Sequence, residues 1–337
     1  MSNQHHSQSE DQVVDVAIIG GGPTGLFAAF YAGLRGMSVL ILDSLEILGG
    51  QLTTLYPEKY IYDVAGFPKV LAKDLARSLV DQAQQYKPRV ELGQRVEKLE
   101  RDEARKLVRL QTQTKEHLAR SAIIAGGVGA FEFKTLALEG AGRFVGKGLH
   151  YFVKDLAAMR GKRVLIVGGG DSAVDWANML APVAQSLTLI HRRDQFRAHE
   201  QSVAEMRNGP CRILTFHELR SIDGNQIIEQ AVIYDNRSNA EQTLQIDALL
   251  VNIGFQNSLG PIKNWGLTLE GGSIKVDGMM QTNIPGVFAA GDIATLPGKL
   301  KLIATGFGEA CIAVNFAKHM LDPAANVFPG HSSNMKR

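Results

Sequence analysis

Two strand-like runs in this sequence end in opposite charge. SVLILDS closes on Asp43, whereas LTLIHRRDQFRA closes on His191, Arg192 and Arg193. A carboxylate at a strand end can accept hydrogen bonds from hydroxyl groups. A guanidinium cluster can instead clamp a phosphate bidentately and stack on an aromatic base. The two ends therefore suit two different ligands, the second carrying an extra phosphate.

The elements that must position these residues lie just upstream. The apolar, β-branched run Val13 to Ile19 leads into Gly20-Gly21-Gly22-Pro23-Thr24-Gly25 and then the small-residue helix pattern LFAAFYAGL. This is a strand, a Gly-x-Gly-x-x-Gly turn and a helix. Gly20 allows the tight turn, Gly22 lets a pyrophosphate approach bare backbone, and Gly25 lets helix and strand pack closely. The helix N-terminus then faces the phosphates with N–H groups and its dipole. Asp43 ends the next strand, 23 positions after Gly20, where it can take ribose hydroxyls.

The unit repeats. KRVLIVGGGDSAVDWANML carries Gly168, Gly170 and Ala173 after a strand, and His191 stands 23 positions after Gly168. One chain thus builds two dinucleotide-binding βαβ units, which excludes a single-cofactor dehydrogenase as the simplest account. In the second unit Arg192 and Arg193, with Arg197 a helical turn further on, replace the acid that would repel a 2′-phosphate. That site is expected to prefer NADP over NAD. His191 either joins the arginines or only shapes the turn.

Bulk properties set limits on the class of protein. The 337 residues have room for two or three domains of roughly 100–200 residues. Lys and Arg number 36 against 34 Asp and Glu, too even for a wholesale nucleic-acid binder. The two cysteines, Cys211 and Cys311, argue against a disulfide framework and for a reducing, cytoplasmic compartment. No apolar run approaches the 18 or so residues of a membrane span. The polar residues 1–12 read as a disordered tail, and the histidines lack metal-ligand spacing.

Near the C-terminus, MQTNIPGVFAAGDIATL presents a strand, Val287 to Ala290, ending in Gly291-Asp292. The order of glycine turn, second glycine turn and VFAAGD resembles the two-dinucleotide flavoprotein reductases, and the length and domain order resemble bacterial thioredoxin reductase. The redox Cys-x-x-Cys of that enzyme is missing; the corresponding stretch is GKGLHYFVKD. GGQLTTLYPEKYIYDVAGFP, KLIATGFGEA and FPGHSS instead resemble ferredoxin-NADP reductase of the thioredoxin-reductase-like type.

The resemblance implies an α/β fold of two Rossmann-like three-layer domains, one binding FAD and the other NADP(H). The FAD domain would take residues 13–118 and 249–337, with the NADP domain, residues 119–248, inserted between. Thr24, Asp43, Gln51, Val96 (through its backbone), Phe131 and Asp292 are the implied FAD contacts. Tyr56 would stack on one face of the flavin and His331 on the other, with Ser333 as a nearby hydrogen-bonding partner. The implied reaction is electron transfer between NADPH and ferredoxin or flavodoxin by a homodimer. Its alternative is an NADPH-dependent reductase of another acceptor, and a non-catalytic flavin-bound sensor is a third reading. An acidic partner calls for a basic face, for which Lys59, Lys69, Lys299 and Lys301 are the candidates.

Overall fold

The apolar segment Val14–Ile19 is buried along nearly its whole length, as a central parallel strand must be. In the computed structural model, which describes residues 13–153 and 155–330, it pairs in parallel with Val39–Leu42 on one side and Glu116–Ile124 on the other. Arg89–Glu91 extends this seven-stranded sheet beyond Val39–Leu42. Glu116–Ile124 changes partner along its outer edge. Its first half alternates in burial and pairs antiparallel with Leu107–Thr112, which in turn pairs with Val96–Asp102. Its second half, SAII, is buried throughout and pairs in parallel with Val287–Ala289. The helix Pro23–Leu34 packs against Ala72–Gln84 and Ile303–Leu321.

A second sheet holds five parallel strands in the order Leu149–His150, Ala248–Asn252, Arg163–Gly168, Ser186–His191 and Arg212–Thr215. Period-two alternation sends neighbouring residues to opposite faces. Ile166 and Leu189 enter the core beneath the helix Asp171–Leu180 with Trp176, while Leu165 and Ile190 enter a core with Phe144 and Ile233. The latter residue belongs to an antiparallel sheet of His217–Asp223, Gln230–Asp235 and Glu241–Gln245.

The chain divides into two compact units. Among the described residues, one comprises 13–54, Ile61–Ala130 and 258–330; the other comprises Leu55–Tyr60 and Phe131–Asn257. The α/β class with two dinucleotide-type units is as expected, but the boundaries differ from 118/119 and 248/249. Glu116–Ile124 completes the first sheet, so the crossing comes after it. Ala248–Asn252 pairs with Arg163–Gly168 and so stays in the second unit. Leu55–Tyr60 is an excursion the sequence did not announce.

Candidate functional site

Three strands of the first unit end together. Gly20 N–H donates to Leu42 O, Ala125 N–H to Ile19 O and Ala290 N–H to Ile124 O, so Gly20, Gly126 and Gly291 leave the sheet at one edge. This is the carboxyl edge at which open parallel sheets bind ligands. Gly20 adopts φ 111°, and an added Cβ would lie 2.5 Å from Ala125 O. At Gly25 it would lie 1.8 Å from Gly20 O, but at Gly22 the nearest atom would be Gly50 Cα at 3.9 Å. The outer glycines are demanded by packing; the middle one has no close neighbour, only Gly50 Cα at ordinary contact distance. The helix begins on Pro23 with Gly22 as its cap and no capping side chain. Its first N–H groups are therefore suited to an anion.

Asp43 lies beneath this turn, 7% exposed. Its carboxylate accepts from the Gly21 N–H and, at 2.8 Å, from the Leu45 N–H. Burial pushes its pKa up, against the pull of hydrogen bonds from Leu45, Gly21 and Ser44. Two oxygens retain lone pairs beyond these two bonds, so the group can still accept from a ligand hydroxyl.

Thr24 is wedged between two backbone segments: a Cβ at Gly291 would lie 2.8 Å, and one at Gly306 2.3 Å, from its Oγ1. Gln51 opens the short helix Gln51–Thr54 and reaches Gly127, where an added Cβ would stand 3.5 Å from its Nε2. Val96 starts the strand Val96–Asp102 and is buried, and Asp292 follows Gly291 half-buried. Phe131 lies on the crossing strand Ala130–Phe133. His331 and Ser333 fall outside the described residues.

The second unit repeats the construction. A Cβ at Gly168 would lie 2.3 Å from Asn252 O, whereas Gly170, which caps Asp171–Leu180, meets nothing nearer than Arg197 O at 3.7 Å. Ala173 is fully buried at the third position, its Cβ 3.0 Å from where a Cβ on Gly168 would be. His191 occupies the position under the turn, with ring atoms 2.3–2.5 Å from a Cβ built on Gly169. It bonds Gln195 O through Nε2 at 3.1 Å and stacks on Phe196. Burial depresses its pKa, and the charges of Arg192, Arg193 and Arg197 add to that. His191 thus packs its ring beneath the turn. Arg192 and Arg193 are exposed beyond it, and Arg197 is tied to the turn by its N–H to Gly169 O at 2.7 Å. Phe196, Arg197, Asp171 and His199 line a cleft of about 490 Å³ here.

The pyridine nucleotide-disulphide oxidoreductase model matches residues 14–310. A protein of Halalkalibacterium halodurans named ferredoxin–NADP reductase is 53% identical over 327 residues, covering 97% of this chain and 99% of its own. One of the same name from Thermus thermophilus is 53% identical over 95% of this chain and 96% of its own. This chain belongs to the thioredoxin-reductase-like ferredoxin–NADP reductases. Among solved structures, T. acidophilum thioredoxin reductase superposes with a TM-score of 0.79 at 26% identity, covering 92% of this chain and 99% of that one. The Lactococcus lactis thioredoxin reductase gives 0.77 at 27% identity, with coverages of 90% and 97%.

Against that family background, the four candidate docking lysines divide into two whose side chains are largely buried and two that are exposed. Lys299, expected on a docking face, is buried and ion-paired with Glu309. Lys59, with its side chain 13% exposed, pairs with Asp175 at 2.8 Å. Its Nζ stands 5.9 Å from the ring centres of both Tyr56 and Trp176. Tyr56 accordingly falls within the Leu55–Tyr60 stretch of the second unit. Lys301 is exposed and donates to Ser273 Oγ at 3.3 Å, and Lys69 is also exposed.

A side chain not singled out from the sequence, Glu309, accepts from Gly291 N–H through Oε2 at 2.8 Å. Its signal was a lone acid inside the otherwise apolar IATGFGEACIAVNFA. Among the described residues no cluster of three or more His, Cys, Asp or Glu side chains could hold a metal. Among them, too, no helix is long and apolar enough to cross a membrane.

Proposed function

We propose that this chain transfers electrons between NADPH and ferredoxin, with FAD held at the first glycine turn and NADP(H) at the second. The observation that carries the reading is the contrast beneath two matching turns: Asp43 under one, and His191 followed by Arg192 and Arg193 under the other. Bound FAD supplies the chemistry, accepting a hydride as two electrons and returning electrons singly.

The protein's own residues bind and orient. Backbone at Gly22 and the start of Pro23–Leu34 would hold the FAD pyrophosphate with Thr24. Asp43 would accept from the adenosine ribose, Val96 would meet the adenine through its backbone, and Gln51, Phe131 and Asp292 would meet the flavin half. Gly168, Gly170 and Ala173 form the corresponding turn for NADP(H), whose 2′-phosphate would fall to Arg192 and Arg193, with Arg197 beside them. Tyr56 and His331 are assigned to the two flavin faces, excluding water, with Ser333 as a donor nearby. The FAD domain is read as the first unit together with Leu55–Tyr60 and Phe131, and the NADP domain as the rest of the second. The active form is read as a cytoplasmic homodimer, and flavodoxin as a second acceptor.

A dithiol reductase is disfavoured by the cysteines themselves. Cys211 and Cys311 are free, and burial pushes the Cys211 thiol up to about 11. A thiolate nucleophile needs the opposite shift. The deciding experiment is cytochrome c reduction by the flavin-loaded protein with NADPH or NADH, with and without ferredoxin. Stimulation by ferredoxin with NADPH preferred supports the reading. NADPH bleaching of the flavin without ferredoxin stimulation would move the search to another acceptor.

A further inference from the structure

The Lys299–Glu309 pair is unusual for its setting. Both side chains are nearly removed from solvent, at 6% and 8% exposure. Glu309 sits on Ile303–Leu321 among buried Gly306, Ala310, Ala313 and Val314. Lys299 Nζ bonds both carboxylate oxygens. Apolar side chains of like volume commonly stabilise such a site as well as or better than a buried ion pair does. Stability alone is therefore a weak account of it.

The account lies in what else Glu309 touches. Strand Val287–Ala289 has ended, so Gly291 N–H has left the sheet ladder, and a buried N–H without an acceptor is costly. Glu309 Oε2 provides the acceptor. The backbone it holds is the one against which Thr24 is wedged, and Asp292 is the next residue. We infer that Glu309, clamped by Lys299, is a positioning residue for the FAD site, fixing Gly291 so that Thr24 and Asp292 meet the cofactor in register. The inference rests on the reading that this turn meets FAD.

The test compares two double variants that both remove the lysine charge. Lys299→Met/Glu309→Gln keeps an acceptor for Gly291 N–H; Lys299→Met/Glu309→Met fills similar volume without one. FAD dissociation constants of the deflavinated proteins are read from FAD fluorescence, alongside the bound flavin's visible spectrum and the melting of the apoproteins. The Gln double variant should bind FAD within about threefold of wild type. The Met double variant should bind at least about tenfold more weakly, as expected for a lost buried hydrogen bond, with an altered flavin band. Equal FAD affinity and identical spectra for the two would overturn the inference, whatever their melting temperatures.

Should the Met double variant not fold, Glu309→Asp keeps the charge but withdraws the acceptor by one methylene. The same weakening is expected, and an unchanged constant would overturn the inference. Asp292→Ala separates the two levels. If it binds FAD as tightly as wild type, the assignment of this turn to FAD fails and takes the inference with it. If it weakens binding while the double variants match, the inference alone fails.

Discussion

The Asp43 carboxylate accepts a hydrogen bond from the Gly21 backbone N–H, which ties the end of strand Val39–Leu42 to the turn that follows Val14–Ile19. The acid holds the turn, and the reading of this site as FAD-binding gives it a second task, accepting from a ribose hydroxyl. Asp43→Ala removes both and leaves the Gly21 and Leu45 N–H groups without this partner. Its FAD dissociation constant should rise by about tenfold to a hundredfold, the worth of one or two buried charge-assisted bonds. Fluorescence titration of the deflavinated variant checks this, and an unchanged constant would show that the carboxylate serves the turn alone.

Under the second turn the basic cluster should set cofactor choice. Arg192→Ala/Arg193→Ala should lower kcat/KM for NADPH by about a hundredfold, as the loss of charge-assisted contacts to a phosphate implies. NADH should change by no more than about threefold, because it has no 2′-phosphate to lose. Equal losses for the two nucleotides would mean that the arginines support the fold of the turn and not its selectivity.

His191 should titrate below 6.5, its ordinary value, because burial and, to a smaller extent, Arg192, Arg193 and Arg197 disfavour its charged form. A histidine with a depressed folded pKa contributes stability that is complete above the unfolded value and is lost as pH falls through the folded one. The His191 ring signal in an NMR titration of the free protein should therefore have its midpoint below 6.5. In Arg192→Ala/Arg193→Ala it should move up without reaching 6.5, since burial is the larger cause. A midpoint at or above 6.5 in the wild type would contradict the buried placement of the ring.

The third position of each turn should respond asymmetrically. Gly25→Ala drives a Cβ to within 1.8 Å of Gly20 O, a backbone atom that cannot turn aside. It should cost about 2 kcal/mol or more, as overpacking does, and FAD retention should fall with it. Ala173→Gly should cost only about 1 kcal/mol, mainly helix propensity. Denaturant unfolding of both variants gives the comparison, and similar costs would argue that the first turn relaxes around the added methyl.

The sequence by itself determined what depends on neighbours along the chain. The two glycine turns, the helices they start and the residues 23 positions on were legible because strand, turn, helix and strand form one continuous βαβ unit of nearly constant length. The absence of a Cys-x-x-Cys was equally plain. Tertiary structure decided what depends on partners distant in the chain. It took Ala248–Asn252 into the second sheet by pairing it with Arg163–Gly168. It assigned Leu55–Tyr60 to the second unit, where Lys59 meets Asp175. It also turned Lys299 from an expected surface charge into the buried partner of Glu309. A lysine's letter is the same whether its stem lies on the surface or its head is folded inward. Only the packing of Ile303–Leu321 behind Gly291 brings the carboxylate, and so the lysine, against the Gly291 backbone.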